Sequence, residues 1–175
     1  TGANTAAWGP VATGTAAWVF DVTDAAYGAV GDAQVVGDGV MSSGSAVLTS
    51  ATANFPVGVV GKNISVKGAA ATGVTTAYGT VLVRTSATQL TLSFSNTSGG
   101  ALANAVVMWG TDDTAAVQAA TDAAEAYLAA GATYAQVFFP PLPYVIAGAL
   151  NTSKSGNGQI VFGPQPTTAV KKILE

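Results

Sequence analysis

Gly110-Thr111-Asp112-Asp113-Thr114-Ala115-Ala116-Val117-Gln118-Ala119-Ala120 opens the one clear helix of this chain and divides two kinds of sequence. Beyond it Val117, Ala120, Ala124, Tyr127 and Leu128 recur at helical spacing, so the sequence predicts a helix over residues 113–130 with one apolar face. Thr111 or Asp113 stands where an N-cap would accept hydrogen bonds from free amides. Asp112 and Asp113 also suit the positive end of the helix dipole. Gly131 is a ready C-terminal stop. The many alanines favour the helix and keep it thin enough to lie close to another surface.

Before the helix, residues 33–109 read as all-β. Candidate strands are Ser45–Ser50, Asn63–Lys67, Thr80–Arg84, Gln89–Phe94 and Ala105–Trp109. Ile64/Val66, Val81/Val83 and Leu90/Leu92/Phe94 each recur every second residue, as half-buried strands require. Glycines punctuate them, and short strands with regular turns predict a small sandwich or barrel. Residues 18–24 read as a short strand, followed by Tyr27-Gly28-Ala29-Val30-Gly31-Asp32, whose glycines permit a turn with positive φ. After the helix, Gln136–Phe139 is a strand stopped by Pro140-Pro141. Tyr144–Ile146 and Gln159–Phe162 are further short strands, with Phe138 and Val161 one solenoid rung apart. Residues 1–18 read as an N-terminal arm. Two Trp residues in so short a stretch favour docking over a free linker, and Trp8 and Trp18 suit an interface better than a sugar-stacking site, because interfaces are enriched in Trp. Residues 164–175 read as an exit or the start of something longer.

The chain is 49% hydrophobic and only 9% charged, against roughly 25% charged in ordinary domains, which excludes a disordered polymer and implies Thr/Ser/Asn/Gly/Ala surfaces, partly meeting other chains. With six basic residues spread thinly and a net charge of −3, there is no stripe to neutralise a phosphate backbone, so nucleic acid is not an expected partner. There is no Cys and no His, which removes disulfides, thiol nucleophiles, the usual zinc sites and Ser-His-Asp catalysis. No apolar run approaches the ~20 residues of a membrane span. No secretory signal is visible in residues 1–19. The chain begins at Thr1, which suggests a processed product or an excerpt from a longer protein.

Few residues suggest chemistry. Asp112 and Asp113 adjoin, but neighbouring helix positions point about 100° apart, so capping is expected of them and catalysis is not. Asp32 and Asp38 sit among glycines; two carboxylates are thin for calcium, and turn chemistry is the better reading. Trp8, Trp18, Trp109, Tyr78, Tyr134 and Tyr144 could stack on sugar rings, or serve as packing anchors, the reading favoured for Trp109 and Tyr144. Asn63-Ile64-Ser65, Asn96-Thr97-Ser98 and Asn151-Thr152-Ser153 fit the glycosylation triplet, as chance allows in so Ser/Thr-rich a chain. Gly37-Asp38-Gly39 lacks the later Gly and the Lys of a phosphate loop. No catalytic, metal or cofactor-binding residue is therefore assigned, and no cofactor is expected.

Phe20-Asp21-Val22 with Tyr27–Asp32, then Gly110–Ala120 with Val137-Phe138-Phe139-Pro140-Pro141 and Tyr144-Val145-Ile146, resemble the N-terminal cap of pectate-lyase-like proteins in the form found in bacteriophage tail spikes and tail fibres. The resemblance is carried by residues 20–32 and 110–146. It implies a helix covering the open end of a right-handed parallel β-helix, whose exposed backbone and apolar interior need such a cover. The implied organisation is an arm or linker over 1–18, a β-helix cap with first rungs over 19–32 and 110–175, and an inserted all-β domain over 33–109. The chain departs from the pattern in that insertion, in Leu142-Pro143 where relatives usually have Gly, and in stopping after one or two possible rungs.

The resemblance further implies a homotrimer on the virion, extracellular, attached to other tail or baseplate proteins and used in recognising host-surface polysaccharide. Two other readings stand beside it: the N-terminal part of a polysaccharide lyase or hydrolase, whose carboxylates would lie elsewhere, and a bacterial surface adhesin with the same solenoid start.

Overall fold

The computed structural model describes residues 18–152, 159–162 and 171–172. Trp8 and the arm over 1–17 lie outside the described residues, as does most of the segment 164–175.

The alternating segments close on themselves. Gln34–Met41 (β2), Val47–Thr49 (β3), Asn63–Val66 (β4), Ala77–Ser86 (β5), Gln89–Leu92 (β6) and Leu102–Gly110 (β7) form a closed barrel in the order β2-β3-β6-β5-β4-β7. Every pairing is antiparallel, and β7 completes the ring by lying between β4 and β2. Of the sandwich and the barrel, the sequence folds into the barrel, whose ring closes where β2 meets β3 at Val40 and Thr49. The described residues are mostly β, with one α-helix.

Period-two patterning fills the barrel. Ile64 and Val66, Leu90 and Leu92, and Ala105, Val107 and Trp109 point inward beside Met41, Leu48, Phe55 and Val81. Phe55 meets Trp109 edge-on, with ring centroids 4.9 Å apart. Two expectations fail here for one reason. Val81 and Val83 were expected on one face, yet Val81 is buried and Val83 is 51% exposed. The β5–β6 register shifts between them, so one extra residue on β5 reverses the parity of its faces. Two similar shifts interrupt β2, a strand that the glycines at 37 and 39 had made look like a turn.

Outside the barrel, Thr114–Ala129 (α1) packs on a parallel sheet of Val19–Asp21 (β1), Tyr134–Phe138 (β8) and Gln159–Phe162 (β10), in the order β1-β8-β10. Val117, Ala120, Ala124 and Leu128 of α1 enter a second core with Val22, Ala135, Val137, Phe139, Tyr144 and Ile146. Thr121 is also buried there, its hydroxyl satisfied by the Val117 carbonyl at 2.8 Å. Gly131 ends the helix as expected, with φ +101 and its amide donating to Leu128 O. Val161 pairs with Gln136 rather than with Phe138, so the rung spacing differs by two residues from the one expected. Val145–Ile146 (β9) pairs in parallel with Lys171–Lys172 (β11). No helix among the described residues is long and apolar enough to cross a membrane.

The bulge makes a direct prediction. Leu90→Ala, which empties the barrel core, should cost about 2–5 kcal/mol in urea unfolding. Val83→Thr should change stability by no more than ~0.5 kcal/mol. Equal losses at the two positions would place Val83 inside and refute the parity reversal.

Candidate functional site

The polar groups of this chain concentrate where the barrel, the helix start and the segment after the prolines meet. Asp113 is buried at the N-cap position of α1, but its carboxylate makes no hydrogen bond to the helix's own amides. It instead accepts from Val30 N at 2.6 Å, Gly31 N at 3.3 Å and Val145 N at 3.4 Å. Its own amide donates to Val145 O at 2.7 Å. The helix-capping role expected of it is thus exchanged for a tertiary one.

The neighbouring residues divide the remaining work. Asp112 Oδ1 accepts from Thr114 N at 3.0 Å, serving the first helical amide, and from Thr114 Oγ1 and Ala147 N. Thr114 Oγ1 also accepts from the amides of Ala147 and Gly148, both at 2.9 Å. Thr111 was the other N-cap candidate; it donates its amide (2.7 Å) and its hydroxyl (3.0 Å) to Asp32. The Lys62 ammonium also pairs with Asp32. No local pattern at Asp32 marks that partner, which comes from the barrel 30 residues away.

Backbones approach closely here. A Cβ on Gly110 would lie 2.9 Å from Ala33 Cα and 2.7 Å from Val145 Cγ2. Gly31 has φ +62, and a Cβ there would meet Leu142 Cβ at 2.6 Å. Leu142-Pro143, the departure from the resembled pattern, therefore forms the lid over Gly31. Leu142 N donates to Pro140 O, and Pro143 O accepts from Ala33 N.

The electrostatics follow the contacts. Burial pushes the Asp113 carboxyl above the usual carboxylate range, against its three amide donors, and the Asp32 charge pushes the same way. Burial also raises Asp32, but Lys62 and the two Thr111 donors together outweigh it and hold that carboxyl low. Asp112 is likewise held low, its burial outweighed by Thr114 and Ala147. Asp38 is engaged elsewhere, with Ser50 Oγ and Thr52 N. Asp32 and Asp38 thus serve different partners, and among the described residues no three acidic side chains gather to hold a metal.

Aromatic residues separate into two groups. Trp109 and Tyr144 are buried, and Tyr144 packs edge-on against Phe139, its hydroxyl pushed up to about 12 chiefly by burial. Trp18, Tyr78 and Tyr134 are partly open. Clefts lie beside Tyr78 (about 240 Å³), beside Trp18 and Tyr134 (about 430 Å³) and beside Lys67 and Val74 (about 590 Å³), none lined by an Asp or Glu. Asn96, a glycosylation candidate by its triplet, is fully buried and donates to the carbonyls of Met41, Ser42 and Gly100. It fastens the barrel rim and cannot meet a modifying enzyme in the folded state.

Comparison with protein-family models, with curated proteins and with solved structures returns no match.

Two outcomes are expected of the junction. Asp113→Ala should destabilise by about 1–3 kcal/mol in urea, because it strands the buried amides of Gly31 and Val145 and removes the partner of the amide of half-exposed Val30. The pH dependence has opposing parts. The lowered Asp32 contributes stability that is full above its unfolded value, about 4, and is lost as pH falls through its folded value. The raised Asp113 contributes in the reverse sense, fully below about 4 and lost as pH rises through its folded value. The urea midpoint should fall between about pH 5 and pH 3, and Asp32→Asn should fall less steeply. A steeper fall in that variant would contradict the assignment.

Proposed function

We propose that this chain is a structural and adhesive segment of a bacteriophage tail spike or tail fibre. In this reading it connects to other tail or baseplate proteins, starts a right-handed parallel β-helix and works as a homotrimer in host-surface polysaccharide recognition. Its arm is residues 1–18, its cap and first rungs are 19–32 and 110–175, and residues 33–109 are an inserted domain.

The observation that carries the reading is a matched pair of parallel spacings. Tyr134 stands beside Gln159, about 25 positions on, and Val145 beside Lys171, about 26 on. Two different strands advancing by nearly the same step is what stacked rungs would produce, and the step lies within the roughly 20–45 residues of solenoid repeats. The amphipathic α1 packs on the β1-β8-β10 sheet and lies within the second of the two segments whose sequence resembles the cap.

Assembly is supported by the surface. Val35, Val57, Val60, Val74, Leu82 and Val83 are each more than half exposed on a chain with few charges. In the trimeric reading, other chains would cover part of this aliphatic surface.

Light scattering after size exclusion tests the assembly. A mass three times the 17.2 kDa protomer is expected. A protomer mass that persists as concentration rises would overturn the trimer.

A further inference from the structure

The open cleft beside Trp18 has a built aromatic wall. Trp18 precedes β1 and Tyr134 opens β8, and the two strands pair in parallel with Val19 beside Gln136. Both rings therefore stand at the same end of one sheet, and the backbone beneath them is fixed by Gln136 N donating to Trp18 O at 2.7 Å. Their centroids are 5.3 Å apart and their planes are tilted by 60°. Trp18 is 40% exposed and Tyr134 38%. Tyr127 and Thr133 also line the cleft, which has a volume of about 430 Å³ and no charged residue in its wall. Tyr127 is steadied from behind by Phe20, edge-on at 5.9 Å.

We propose that this cleft binds a pyranose ring of a neutral saccharide. A pyranose is apolar across its C–H face and polar around its rim. Trp18 and Tyr134 offer large, stiff apolar faces for the first, at little cost in side-chain entropy. The hydroxyls of Tyr127, Thr133 and Tyr134 offer donors and acceptors for the second. The uncharged wall gives an anionic sugar no counter-charge, and a quaternary ammonium no carboxylate. The volume falls in the range of small-ligand sites, roughly 300–1,000 Å³. Both rings sit on strand ends of a packed sheet, so the platform is formed before the ligand arrives. The proposal deepens the attachment reading, and rests on it for where such a glycan would come from.

The test uses the complete chain with tetrasaccharides of glucose, galactose and mannose, and tetragalacturonate as the anionic probe. Saturation-transfer NMR and tryptophan emission report binding, and light scattering on the same samples reports mass. At least one neutral probe should bind in the millimolar range and perturb Trp18 emission. Trp18→Ala and Tyr134→Ala should each weaken it about tenfold or more. Trp18→Phe, which keeps an aromatic face, should retain affinity within about threefold. Urea midpoints of all three variants show whether the fold is intact; if an alanine variant is unfolded, the comparison of Trp18→Phe with Trp18→Leu replaces it.

No binding of any neutral probe, binding that survives both alanine variants, or binding of tetragalacturonate alone would overturn the proposal. A trimer that binds none of the neutral probes would sink the cleft and leave the attachment reading standing. A monomer that binds through Trp18 would do the reverse.

Discussion

The buried carboxylate of Asp113 is the constraint on which the rest of this structure depends. A carboxylate out of water is costly unless its lone pairs are filled. Here they are filled by amides from two distant places, Val30 and Gly31 on one side and Val145 on the other. None of the three segments can leave without stranding either a charge or a donor. The side chain could have capped its own helix, as Asp commonly does. Asp112 serves the Thr114 amide, while the Asp113 carboxylate leaves its own helix uncapped and acts between segments. Gly31 and Gly110 complete the arrangement, since a side chain at either position would push the joined backbones apart.

Strand β7 is one of the ties that join the barrel to this junction. On β7, Trp109 points into the barrel core, while Met108 points the other way, against Ala33 and Val145. Successive residues of a strand face opposite sides, so a single strand contributes to two cores without bending. Entry and exit are also adjacent, because Gln34 pairs with Trp109. A barrel whose two ends leave side by side can interrupt a chain with little effect on the elements flanking it, since the gap it must bridge is short. Lys62 and Asp32 pin the barrel to that gap from the outside.

What could be read in the sequence was whatever has a local cause. The helix, its Gly131 stop and the inward residues of β4 and β6 follow from periodicity within a dozen residues. The reversal at Val83 does not, because a bulge is decided by the partner strand and not by the strand that carries it. β2 was hidden because its glycines resemble turn residues until β7 is laid beside them. Asp113 offered a strong local reading as a cap, and that reading is incomplete because its donors lie 32, 82 and 83 positions away. Asn96 stood out in the sequence only as part of a chance glycosylation triplet, yet its side-chain amide is buried against three carbonyls.

The use of charge explains the character of the surface. Asp32, Asp38, Asp112 and Asp113 all spend their oxygens on amides, hydroxyls or Lys62 within the chain. With so few charges in total, little remains to cast a long-range field, so electrostatic steering of partners is weak. What the described surface offers at contact is aliphatic side chains and aromatic rings. The same economy that secures the junction from within leaves Val57, Val74 and the Trp18–Tyr134 pair as the features a partner would meet first.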